Sequence, residues 1–151
     1  MIEVVRTNSS NKDFIHLVKG LDAYLKTTDG DEHEFYNQFN GIAVLNHVIV
    51  AYTDGEAMGC GAFKKFGNSS VEIKRMYTKP SARGQGIATE ILNSLETWAS
   101  EQAYVSCILE TGIRQKEAVR FYKKNNYKSI PNYGQYINMD NSLCFEKGLI
   151  K

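Results

Sequence analysis

The segment Arg83-Gly84-Gln85-Gly86-Ile87-Ala88 brings together a cation, two glycines and the start of a helical apolar pattern. The first turn of any helix leaves backbone N–H groups without partners and carries about half a positive charge. Gly84 and Gly86 have no side chains to hold an anion away, so the amides that follow, through Thr89, can approach it closely. Arg83 adds a fixed cation with a forked donor set. The chemistry is that of a pyrophosphate cradle built mostly from backbone, set against the plainer reading of a glycine turn before a helix. Two other cradles do not fit. A Walker loop requires Lys-Ser/Thr after its last glycine, and a dinucleotide fingerprint requires a third small residue in register and a parallel repeat before it.

The elements around this turn follow from spacing. Ile2 to Arg6 reads as a short edge or near-edge strand, and Asn8-Ser9-Ser10-Asn11 offers capping side chains. Phe14, Leu17, Val18, Leu21 and Leu25 then fall three and four apart, as on one face of a helix. A shorter helix is expected over Glu32 to Phe39. His47 to Tyr52 is a continuous apolar run, as in a buried strand. Asp54-Gly55 predicts a tight hairpin turn into Ala57 to Phe63, a strand of small residues. Val71 to Thr78 follows, with Val71, Ile73 and Tyr77 alternating against Glu72, Lys74 and Met76. Ile87, Ile91, Leu95 and Trp98 form the stripe of a crossover helix, and Tyr104 to Leu109 is the next strand, which implies a parallel pair. Arg114 to Asn125 is helical, and Ser142 to Glu146 is the last strand, after an aromatic loop. The expected fold is α+β: a mixed sheet of six or seven strands with helices on both faces, in one domain spanning 1–151.

Composition narrows the function classes. The 151 residues suit one domain, and 42 % hydrophobic with 23 % charged residues is ordinary for a soluble globular protein. A net charge of +1 with no basic run argues against nucleic acid, so an anionic ligand must be held locally. Cys60, Cys107 and Cys144 show no ligand spacing and sit in apolar stretches. Buried thiols are the expectation, with no metal and no disulfide. No charged leader or long apolar run is present, which gives a cytoplasmic protein with no membrane association as the expectation.

The motif at Arg83 to Ala88 resembles the Arg/Gln-x-x-Gly-x-Gly/Ala signature of the GCN5-related N-acetyltransferase (GNAT) family, with Pro80 three residues before the arginine. Ala118, Tyr122, Lys124 and Asn126-Tyr127 resemble that family's stretch after its fifth strand. Asn126 replaces the usual glycine at a left-handed cap. The order of elements agrees over about residues 1–148.

The resemblance implies an acyl-CoA N-acyltransferase fold in which the fourth and fifth strands splay and the pantetheine arm of acetyl-CoA inserts between them. Arg83, Gly84, Gln85, Gly86, Ile87, Ala88 and Thr89 would hold the pyrophosphate. The backbone of Met76 and Thr78 would bond the arm, with the Met76 amide near the acetyl carbonyl as an oxyanion donor. Gln115 stands where many relatives have Asn, also against the arm. Tyr122 resembles the general acid that protonates the leaving thiolate; a helical tyrosine is otherwise a packed amphipathic residue. Direct transfer also needs a proton acceptor for the amine. Glu72 is one candidate, because 72, 74 and 76 share a strand face; its alternative is an ion pair with Lys74 or a neighbour. Glu110 is the second candidate.

The implied function is N-acetyl transfer from acetyl-CoA to a primary amine of a small molecule, amino acid or peptide. An acyl-CoA-binding sensor or scaffold without turnover is the alternative, and a homodimer is compatible with either. A covalent route through Cys107 lacks an evident histidine partner. Glu32, His33, Tyr36, Arg75, Tyr133 and Tyr136 are the expected specificity groups. Arg75 suits either a substrate carboxylate or a surface ion pair.

Overall fold

Asn11 ends the first loop by accepting a hydrogen bond from the Phe14 amide at 2.9 Å, the geometry of a helix N-cap. Helix α1 runs over Lys12–Asp29 and buries Phe14, Leu17, Val18 and Leu21, the stripe its spacing predicts. The computed structural model describes residues 1–29 and 44–149. The helix expected over Glu32 to Phe39 lies outside them, and so do the specificity candidates Glu32, His33 and Tyr36.

Seven strands form one mixed sheet in the order β1-β2-β3-β4-β5-β7-β6. They are β1 (Ile2–Thr7), β2 (His47–Thr53), β3 (Glu56–Phe66), β4 (Ser70–Thr78), β5 (Ser106–Gly112), β6 (Lys128–Ile130) and β7 (Ser142–Gly148), with helices α2 (Ile87–Glu101) and α3 (Lys116–Lys124). The expected α+β class and strand number hold. Asp54 and Gly55 both have positive φ, 52° and 82°, closing a two-residue hairpin turn between β2 and β3. Helix α2 carries the chain from β4 to β5, the one parallel pair among the described residues.

The bounds of β5 and α3, and one whole strand, are among the departures from expectation. Strand β5 starts at Ser106 rather than Tyr104. Ala103 takes φ 69° and the Tyr104 amide turns back to the Ala99 carbonyl at 3.1 Å, so Tyr104 belongs to the turn that closes off α2. Helix α3 is shorter than Arg114 to Asn125 at both ends. Strand β6 was not expected, because three edge residues that are mostly exposed carry no alternation to read. Asn126 does take the left-handed cap, at φ 73°.

The core has two layers. Helix α1 packs with Val48, Val50, Cys60, Ala62 and Tyr77 on one face of the sheet. On the other face α2 buries Ile87, Ile91, Leu92 and Leu95 against Ile49, Phe63, Val71, Ile73 and Leu109. Each such side chain contributes about 1.5–3 kcal/mol on burial. The small residues of β3 let α2 approach: a Cβ at Gly61 would sit 2.5 Å from Met76 Sδ and 2.9 Å from Ile91.

Strand β4 departs from simple alternation. Cys60 pairs with Tyr77, but Ala62 pairs with Lys74, so Gly61 faces both Arg75 and Met76. This is a β-bulge, with Arg75 at φ 60° as the extra residue. The bulge reverses the faces beyond it. Glu72 and Lys74 stand opposite Lys64 and Ala62 on the α1 face, and Tyr77 joins them there. Met76 packs instead with the α2 core. The expectation that 72, 74 and 76 share a face is therefore corrected: it assumed a strand without an inserted residue.

Strands β4 and β5 pair only at Ser70↔Ser106, Val71↔Cys107 and Glu72↔Ile108. Beyond those rungs they part. Their outer edges stay bound, β4 to β3 as far as Thr78 and β5 to β7 as far as Gly112. The facing backbone of 73–78 and 109–112 is left open along a cleft.

Candidate functional site

The cleft between the parted strands passes through the sheet. On the α1 side its wall includes Leu21, Leu25, Lys74, Arg75 and Tyr136. On the other side it reaches Gln115, Ala118 and Tyr122 along α3. Glu72, Met76 and Glu110 line it between. An extended chain with alternating amides and carbonyls can add to open strand edges of this kind.

The turn before α2 lies at the end of β4. Gly84 and Gly86 have φ 81° and 79°, and an added Cβ would meet nothing within 4 Å at either. Glycine is required there by backbone conformation rather than by crowding. Gly86 is the N-cap of α2 without a side-chain cap bond, and no described backbone carbonyl accepts from the amides of 84–89. Six consecutive amides thus lack a backbone acceptor at the positive end of a 15-residue helix, which fits an anion such as a pyrophosphate. Arg83 is exposed; its Nε reaches the Thr78 carbonyl at 3.4 Å, and its guanidinium lies 5.5 Å over the Tyr24 ring.

Tyr122 is buried where α3 meets β7, with ring centroids 5.1 Å from Phe121, 5.7 Å from Tyr127 and 6.5 Å from Phe145. Burial pushes its phenol well above the usual range, and the negative charge of Glu110 pushes it further. It is held protonated at neutral pH. Packing and a place on the cleft wall coexist in this residue.

Glu72 is almost fully buried, at 2 % exposure. Its Oε2 accepts a hydrogen bond from the Tyr133 hydroxyl at 2.7 Å, while Oε1 faces Lys64 at 3.8 Å and Lys74 at 3.9 Å. The ion pair with Lys74 that the sequence offered as an alternative is present. Burial pushes the Tyr133 phenol up, and the adjacent Glu72 carboxylate adds to this. Burial likewise lowers Lys74, only partly countered by Glu72. Tyr136, in the loop between β6 and β7, packs on Cys144.

Arg75 is the polar group whose surroundings differ most from expectation. It is not at the surface: its side chain is 2 % exposed, and Nη2 donates to Asp22 Oδ1 at 2.6 Å. Asp22 and Lys74 were not singled out as site residues. Nothing local marks Asp22, which meets its partner across 53 positions of sequence. The three cysteines are buried and unpaired, none lines the cleft, and burial pushes Cys60 and Cys107 up to about 12. Among the described residues no cluster of three His, Cys, Asp or Glu could hold a metal, and no helix is long and apolar enough to cross a membrane.

Comparison with known proteins agrees with this geometry. The profile of the Acetyltransferase (GNAT) family matches residues 16–127. An "IAA acetyltransferase" of Azospirillum brasilense is 27 % identical over 150 residues, covering 98 % of each chain. The structure of a Klebsiella pneumoniae protein assigned as an acyl-CoA N-acyltransferase superposes with a TM-score of 0.84 at 29 % identity, covering 99 % of both chains. That of the PaiA N-acetyltransferase of Thermoplasma acidophilum, in complex with coenzyme A, has a TM-score of 0.73 at 18 % identity, covering 98 % of this chain and 99 % of the other. The chain belongs to the acetyltransferase (GNAT) family and is an acetyl-CoA-dependent N-acyltransferase.

Proposed function

We propose that the protein transfers acetyl from acetyl-CoA directly to a primary amine of a small molecule, amino acid or peptide, and that the cleft between β4 and β5 is where this happens. The observation that carries the reading is the abrupt end of β4–β5 pairing at Glu72 and Ile108, and the amides of 84–89, which no described backbone carbonyl accepts, add to it. Acetyl-CoA, when bound, supplies an acetyl thioester; the chain's own groups position and protonate.

In this reading the amides from Gly84 through Thr89, with Gln85, Ile87 and Ala88 between, hold the pyrophosphate, and Arg83 adds its cation. The strand edge at Met76 and Thr78 takes the pantetheine arm, and Gln115 contacts it from the start of α3. An amide donor at Met76, fixed by the strand, stabilises developing charge on an acyl oxygen, an effect of about 3 kcal/mol where measured in other enzymes. Tyr122 delivers a proton from its hydroxyl to the departing sulfur. Glu110, on the cleft wall and close enough to act on the Tyr122 phenol, is the favoured proton acceptor. Glu72 has both oxygens engaged; it serves better to organise Tyr133 and Lys74 than to receive an incoming proton.

The test is calorimetric titration with acetyl-CoA, followed by thiol release over a panel of amines. Micromolar binding with release for one amine class is expected. No binding would overturn the reading.

A further inference from the structure

Arg75 keeps two donors in reserve. Nη2 is committed to Asp22, but Nε and Nη1 are both buried and have no hydrogen-bond partner among the described residues. Buried guanidinium donors are ordinarily satisfied, since leaving them unpaired forfeits the hydration they had in the unfolded chain. The conformation that creates this situation is itself costly: a non-glycine residue at φ 60° is disfavoured, and it occurs here at the inserted residue of the bulge. The bulge turns the arginine from the α2 core toward α1 and into the cleft wall.

The geometry points to an acceptor that carries a carboxylate beside its amine, an amino-acid-like molecule whose carboxylate docks on Arg75. A guanidinium matches a planar carboxylate better than an ammonium does. The charges about the cleft favour one negative charge over two. Asp22, Glu72 and Glu110 face Lys64, Lys74 and Arg75 at short range, so a monoanion completes Arg75 while a dianion meets three carboxylates. Glu110, on the same wall, attracts the amine end. This inference rests on the acetyl-transfer reading and adds the substrate class to it.

The experiment compares matched acceptors that differ only in the carboxylate: free amino acids, their carboxamides and the corresponding decarboxylated amines, with rates referred to the concentration of neutral amine. Wild-type protein is expected to favour the acids by about 10- to 100-fold in kcat/KM, the range of hydrogen bonds to a charged group, and chiefly through KM. Calorimetry on protein saturated with coenzyme A should show the same preference in binding. Arg75→Met is expected to bring the ratio close to one and leave coenzyme A affinity unchanged, with Arg75→Lys intermediate. A wild-type ratio near one, with thiol release intact, overturns the carboxylate inference alone and requires no variant to fold. Absence of both coenzyme A binding and thiol release overturns the acetyl-transfer reading, and this inference with it.

Discussion

The Tyr133 hydroxyl and the Glu72 carboxylate meet at 2.7 Å across 61 positions of sequence. Through that bond the loop between β6 and β7 is fastened to the central strand of the cleft. The bond also removes one lone pair of Glu72 from reach of a substrate. Tyr133→Phe leaves a buried carboxylate oxygen without its donor, a loss of about 1.5–3 kcal/mol. A melting temperature lower by roughly 3–12 °C is expected for a chain of this size. A change below about 1 °C would show that solvent already serves Glu72.

Arg83 is exposed and makes only a long contact to the Thr78 carbonyl and a stacking contact with Tyr24. Charge reversal there should therefore cost the fold little. For Arg83→Glu the expected result is at least a tenfold weaker affinity for coenzyme A by calorimetry, with a melting curve close to wild type. Equal affinity would remove the phosphate role from the turn.

Tyr122→Phe keeps the ring packed on Phe121, Tyr127 and Phe145 and removes only the hydroxyl. Turnover should fall by about 10²- to 10⁴-fold while coenzyme A affinity holds. Wild-type turnover in this variant would take the proton donor elsewhere.

Alkaline stability follows from the buried thiols. Burial raises Cys60 and Cys107 from 9.0 to about 12 in the folded protein. Between those values the unfolded chain has released protons that the folded one retains. Stability is then whole below about pH 9 and declines as pH rises toward 12. A melting temperature that drops steadily over this window is expected, with a shallower slope in Cys60→Ala. An unchanged slope in that variant would show that the Cys60 thiol does not contribute.

The glycine turn was legible because its cause is local. Gly84 and Gly86, two apart just before a helical pattern, permit the positive φ that a tight turn uses, and the stripe from Ile87 to Trp98 announces the helix behind them. The layers of the core were legible for the same reason. The facing of Met76 was not. Its side depends on the bulge at Arg75, and that bulge is set by pairing with Gly61 on another strand. Asp22 and Arg75 find each other only once α1 lies across β4. The seventh strand, β6, exists because β7 offers it an edge, and its own three residues carry no pattern.

The three rungs that join β4 to β5 make the sheet resemble a book whose two covers, of four strands and three, are bound along a short spine. A co-substrate that slides into such a seam becomes part of the binding. Only the folded chain has the seam, so occupancy adds RT ln(1 + [L]/Kd) to the free energy of unfolding, about 2.7 kcal/mol at a hundredfold excess over Kd. If the seam holds the acetyl donor as proposed, the stability of the fold is thereby tied to the donor's concentration. Limited proteolysis at rising coenzyme A concentration should reveal progressive protection, and digestion at a constant rate would separate the two.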